Sequence, residues 1–102
     1  MSLVDVNECA ARLPEAWRSV VVGTVGTAAV KVLRMDGRAL PEEVHGTAEV
    51  LYVAEGVLEL AVGGEGVSVR PGELCRVPAG VPHGVRAGSR GTLLILEVPE
   101  QV

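Results

Sequence analysis

Turns punctuate this chain so often that no long helix fits between them. Gly26-Thr27, Asp36-Gly37, Gly56, Gly63-Gly64, Pro71-Gly72 and Pro78-Ala79-Gly80 all read as turn signals. Glycine tolerates a positive φ and proline presets a turn-compatible one. The stretches between them are short and rich in valine and leucine: residues 19–25 (SVVVGTV), 28–35 (AAVKVLRM), 49–55 (EVLYVAE), 57–62 (VLELAV), 66–70 (GVSVR), 73–77 (ELCRV), 83–87 and 92–98 (TLLILEV). Such runs suit pleated, half-buried strands. About eight to ten strands with no room for crossover helices exclude a parallel α/β fold and predict an all-β barrel or jelly roll.

The alternation within the runs sorts their faces. Glu49, Leu51, Val53 and Glu55 share one face, with Val50, Tyr52 and Ala54 on the other; Ala29, Lys31, Leu33 and Met35 share a face of the earlier strand. Residues 38–43 (RALPEE) read as a loop, because Pro41 cannot join the middle of a ladder. Residues 44–47 read as a short strand or bend. Ahead of the β region, residues 5–13 (DVNECAARL) predict a short helix capped by Asp5 and stopped by Pro14. The expected organisation is a single domain, with an N-terminal helical or extended segment over 1–18 and a barrel over 19–102. Trp17 is expected as a plug over one barrel end or as part of a dimer contact.

Composition narrows the function classes. A hydrophobic fraction of 48% excludes a disordered chain. The net charge of −4, with scattered cations, argues against a nucleic-acid partner. No apolar run is long enough for a membrane helix, and no secretory leader is expected in a start that carries Asp5 and Glu8. Two cysteines, Cys9 and Cys75, are too few for a disulfide scaffold and predict reduced thiols in a cytoplasmic protein.

Chemistry centres on the two histidines, His45 and His83, and on Glu49. On a continuous strand, His45 and Glu49 would stand about 13 Å apart. They converge on one ion only if the chain bends between them, and Gly46 offers that bend. His83 follows Pro78-Ala79-Gly80-Val81-Pro82, a rigid turn that fixes how the imidazole enters its strand. Two imidazoles and one carboxylate are the ligand set of a facial triad with open positions. Tyr52 reads as outer packing or a dimer contact, Cys75 as a buried inert thiol, and Arg34 and Arg76 as solvated charges.

These residues carry a resemblance to the cupin superfamily. The first cupin motif is matched by Glu43-x-His45, three residues, Glu49, six residues and Gly56. The second is matched by Gly72, five residues, Pro78-Ala79-Gly80, two residues, His83, three residues and Ala87. The 15 residues between them, 57–71, look like the short insert of small bacterial cupins. Two positions depart from the pattern: Glu43 stands where the family has its first histidine, and Ala87 where it has an asparagine. The resemblance implies a double-stranded β-helix, or jelly-roll barrel, with a divalent metal (iron, manganese, nickel or zinc) on His45, Glu49 and His83. Glu43 is then either a fourth, oxygen ligand or a solvent-facing residue at the barrel mouth. No organic cofactor is expected. Two functions are implied: a metal-dependent oxygenase or isomerase acting on a small molecule, or a non-catalytic barrel that binds or senses a small ligand or metal. The few polar groups expected inside favour a small, partly apolar ligand over a sugar phosphate. A homodimer through residues 3–25 is expected by analogy with other small cupins.

Overall fold

One long strand, Glu49–Val62, supplies both sheets of the structure. The computed structural model describes residues 1–99; the last three residues of the expected barrel, 100–102, lie outside them. A helix, α1 (Val6–Arg12), precedes eight strands: β1 (Val20–Val25), β2 (Ala28–Asp36), β3 (Leu40–Glu43), β4 (Glu49–Val62), β5 (Glu65–Val69), β6 (Leu74–Val77), β7 (His83–Val85) and β8 (Arg90–Glu97). All pairings among them are antiparallel. The first half of β4 lies between β8 and β6, and its second half between β5 and β7. From there the sheet runs outward through β8 and β2 to β1 on one side, and through β7 to β3 on the other. The result is the curled, jelly-roll-type barrel expected from the sequence.

The change of sheet happens at Gly56, where a turn was expected. The strand instead runs through, with Gly56 at φ 84° paired to Gly91 at φ 111°. A Cβ on Gly56 would sit 1.9 Å from the Arg90 carbonyl oxygen, and one on Gly91 would sit 2.1 Å from that of Glu55. Neither position accepts a side chain. The two backbones cross at a distance that only paired glycines allow, and that crossing lets β4 bend from one sheet into the other.

Three further expectations are corrected. Residues 38–43 are not all loop: β3 is an edge strand that includes Pro41, and its register against β7 shifts between Leu40 and Glu43. An edge strand with an irregular register tolerates a proline that a central ladder would reject. Asp36-Gly37, whose Asp-Gly pair reads as a hairpin-type signal, is a bend and closes no hairpin, because the strands on either side, β2 and β3, do not pair with each other. The strand after His83 ends at Val85, short of the expected residue 87.

Inward-facing side chains of both sheets form one core, including Leu33, Met35, Leu51, Val53, Leu58, Leu60 and Leu93. Each fully buried leucine or valine stabilises the fold by about 1.5–3 kcal/mol. The helix forms where Asp5 caps it, its carboxylate accepting the Glu8 N–H at 3.0 Å. It lies on β2 and β8, with Ala10 buried. Val32, on the face of β2 opposite the core, is fully buried as well. The segment after the helix is tied to β2: Arg34 donates to the Leu13 carbonyl, and the Trp17 N–H donates to the Arg34 carbonyl at 2.8 Å. Among the described residues no helix is long and apolar enough to cross a membrane.

Candidate metal centre

Strand register gathers the acidic and imidazole side chains at one end of the barrel interior. Glu43 is the last residue of β3 and pairs with His83, the first of β7. Glu49, the first residue of β4, pairs with Val77 of β6 and with Glu97 of β8. Between Glu43 and Glu49 the chain leaves both sheets and bends at Gly46-Thr47. The bend is pinned to the second turn segment, because the His45 carbonyl accepts the Gly80 N–H at 2.8 Å. Thr47 Oγ1 donates to the Val98 carbonyl at 3.2 Å and fixes the far side. The convergence of His45 with the strand residues therefore rests on the bend that the spacing requires.

Glu43, His45 and His83 each present a ligand atom, all within 4.8 Å of one another. The two imidazole rings stand 5.2 Å apart, tilted by 48°. His45 Nε2 lies 3.1 Å from Glu43 Oε2. His83 Nδ1–H donates to the Val81 carbonyl at 3.0 Å, which turns Nε2 inward, where it meets Glu49 Oε1 at 2.7 Å. A backbone carbonyl on the far nitrogen is a common way of orienting a metal-ligating histidine. Ligands about 2.1 Å from one ion stand about 3–4 Å from each other, so this set closes on a divalent metal with small side-chain movements. Imidazole and carboxylate donors together fit a divalent first-row ion and do not select one.

The inner wall of the site is charged on purpose-built partners. Lys31 Nζ donates to Glu97 Oε1 at 2.5 Å, with both side chains mostly buried. Glu97 in turn shares a hydrogen bond with Glu49. Burial pushes the Glu49 carboxyl above its usual range; the hydrogen bond with Glu97 and that residue's negative charge add to the shift, against the pull of His83. Burial raises Glu97 too, but the Lys31 ammonium and the bond from Glu49 outweigh it and hold its carboxylate below the usual range. Glu49 thus stands between the His83 imidazole, 2.7 Å away, and the Glu97 carboxylate, and a proton or a cation has to lie between the two carboxylates.

The site lies in the wall of a cavity of about 230 Å³. Its other walls are aliphatic, among them Leu33, Leu51, Leu60, Leu93 and Ile95, and Trp17 also lines it. No lysine or arginine reaches its surface among the described residues.

All four residues singled out from sequence, His45, Glu49, His83 and Glu43, lie at this cavity. Glu43 joins the two histidines in the three-residue set, and Glu49 joins through His83. Cys75 is a half-buried free cysteine whose thiol is pushed up by burial, as befits an inert group. Arg34 is engaged with the Leu13 carbonyl and does not reach the cavity. Glu97 and Lys31 escaped motif spacing. The available signal was a charged residue on the apolar face of two strands: Lys31 among Ala29, Leu33 and Met35, and Glu97 after Leu93 and Ile95. Those strands pair, which places Glu97 beside Ala29, two residues from Lys31.

Residues 31–99 match the family model described as the cupin domain. Over 60 residues the chain is 40% identical to the quercetin 2,3-dioxygenase of Bacillus subtilis (strain 168), a match that covers 58% of this chain and 18% of the dioxygenase. A cupin-2 domain containing protein from Shewanella frigidimarina superposes with a TM-score of 0.86 at 23% identity, covering 95% of each chain. Hydroquinone 1,2-dioxygenase PnpCD in complex with Fe3+ superposes with a TM-score of 0.78 at 18% identity, over 89% of this chain and 30% of that one. At such identities the two structures are alike in fold.

Proposed function

This chain belongs to the cupin family, and from that premise we propose that it is a metal-dependent oxygenase of small, largely apolar molecules. The observation that carries the reading is the convergence of Glu43, His45 and His83 on one point of an aliphatic cavity, with Glu49 behind them. The 40% identity to a dioxygenase over 60 residues supports the reaction class. A cavity surface without lysine or arginine disfavours phosphorylated substrates, which need such cations.

His45, Glu49 and His83 would hold the metal, with Glu43 as a fourth, oxygen donor. A divalent metal in this set supplies a Lewis acid with positions open to substrate oxygens. The chain's own residues do the rest. The Val81 carbonyl fixes the His83 tautomer. The Lys31–Glu97 pair holds Glu49 against His83. The leucine walls exclude water and receive the apolar body of the substrate. Glu43, at the rim, is the carboxylate best placed to take a proton from an entering hydroxyl.

The test is dioxygen uptake by protein loaded with iron, manganese, nickel or zinc, with a panel of small enols and phenols. Uptake with a redox-active metal that is absent in His83→Ala supports the reading. A loaded protein that binds panel members without consuming oxygen would make it a ligand-binding barrel instead.

We also propose a homodimer through the free edge of the sheet. β1 is an edge strand whose Val20, Val21 and Val25 are exposed, and an apolar edge of this kind favours pairing with another strand. Sedimentation as a monomer at micromolar concentration would remove that proposal.

A further inference from the structure

Trp17 is held more firmly than a plug needs to be. It is the only tryptophan of the chain. It is also the only non-glycine residue with a positive φ, 67°, among the described residues. A bulky side chain in this left-handed region is strained by about 1–2 kcal/mol, and such strain persists only where the surroundings fix it. Here three contacts fix it. The backbone N–H donates to the Arg34 carbonyl at 2.8 Å, the indole Nε1–H donates to Asp36 Oδ1 at 2.7 Å, and the ring packs against the core. Asp36 is itself held, accepting from the Arg38 backbone N–H at 3.2 Å and from its guanidinium at 3.0 Å. The ring is therefore oriented before any ligand arrives.

The same ring lines the cavity that holds Glu43, His45, Glu49 and His83, and it is the one aromatic carbocycle in a wall otherwise made of aliphatic, acidic and imidazole side chains and the Ser19 hydroxyl. A volume of about 230 Å³ equals the share of about eight waters, enough for one ring with short substituents. The His45–His83 end, with Glu43 and Glu49 beside it, gathers most of the cavity's polar groups and is where a ligand's oxygen donors meet the candidate metal ligands. The ligand's flat body has one π face to meet.

We propose that Trp17 is the specificity-determining residue of this cavity: it stacks on a single planar aromatic ring whose oxygen donors reach the His45–His83 end. Asp36 is the positioning residue that keeps the indole in that pose. This inference rests on the proposed metal-dependent function and names its substrate class.

Two hydroxamates with the same pair of oxygen donors separate the idea from simple chelation. Benzohydroxamate carries a flat ring and cyclohexanecarbohydroxamate a puckered one of similar size. Binding is measured by calorimetry on the metal-loaded full chain, and in the wild type also by Trp17 fluorescence. Aromatic stacking should favour the flat ring by about three- to tenfold in the wild type. In Trp17→Leu the preference should fall to near one with metal content unchanged, and Trp17→Phe should restore part of it. Asp36→Asn should lower the fluorescence anisotropy of Trp17 and reduce the preference. Equal binding of the two hydroxamates by the wild type overturns the proposal, whatever the fate of the variants. So does a preference that survives in Trp17→Leu. If the wild type takes up no metal, the metal reading fails separately, and the same ratio measured on the metal-free protein decides the stacking claim.

Discussion

The two halves of the site are built differently. The inner pair, Glu49 and His83, begins strands β4 and β7, and its side chains are 9% and 8% exposed. Each has a partner behind it, Glu97 for one and the Val81 carbonyl for the other. The outer pair, Glu43 and His45, sits at the end of an edge strand and in the bend after it, 64% and 28% exposed. A deeply buried group has its geometry set in advance; one as exposed as Glu43 has more to lose in ordering on binding. The inner half should therefore carry affinity, and the outer half should tune which metal binds and how a substrate enters.

Glu49→Gln breaks the inner half and should have the largest effect. It keeps the shape, removes the anion, and should weaken metal binding by about 100-fold or more, read by competition with a chelating dye. A change of only a few-fold would place Glu49 outside the ligand set.

Next in size is the support behind Glu49. Removing an outer partner of a metal ligand costs about 10- to 100-fold in affinity, and Glu97→Gln should fall in that range. The pH profile sharpens this. Glu49 has a raised pKa from burial and from Glu97, so a proton competes with the metal above the ordinary carboxylate range. Apparent affinity should rise with pH through that window and level off once Glu49 is ionised. In Glu97→Gln, which removes the neighbouring negative charge, the rise should move to lower pH. An unshifted profile would mean that another group competes with the metal.

The smallest change belongs to the outer half. Glu43→Gln should weaken binding by a few-fold only. Glu43→His restores the imidazole that the family motif has here and should raise affinity for nickel and copper more than for manganese, since nitrogen donors suit the former. If Glu43→Gln cost as much as Glu49→Gln, the two halves would not differ as argued.

The same division explains what was legible in the sequence. The strands, the capped helix and the inner residues His83 and Glu49 follow from turn chemistry, alternation and motif spacing, all of which are local. Two features needed the third dimension. Pro41 reads locally as a strand breaker, and only its place on an edge beside a register shift makes β3 possible. Gly56 reads locally as a turn, and only its crossing with Gly91, 35 residues away, turns it into a bend within one strand. Glu97 and Lys31 were visible as charges on apolar faces, but their meaning depends on β8 lying between β2 and β4. Glu43 could be placed neither in nor out of the site until its pairing with His83 was known.

The central claim is that Glu43, His45, Glu49 and His83 form a metal site. The most direct test is elemental analysis of tag-free protein after incubation with iron, manganese, nickel or zinc, alongside His83→Ala. Near-stoichiometric metal in the wild type and its loss in a folded His83→Ala is the predicted result. A wild type that takes up none of the four ions, or a His83→Ala that retains its metal, would contradict the account.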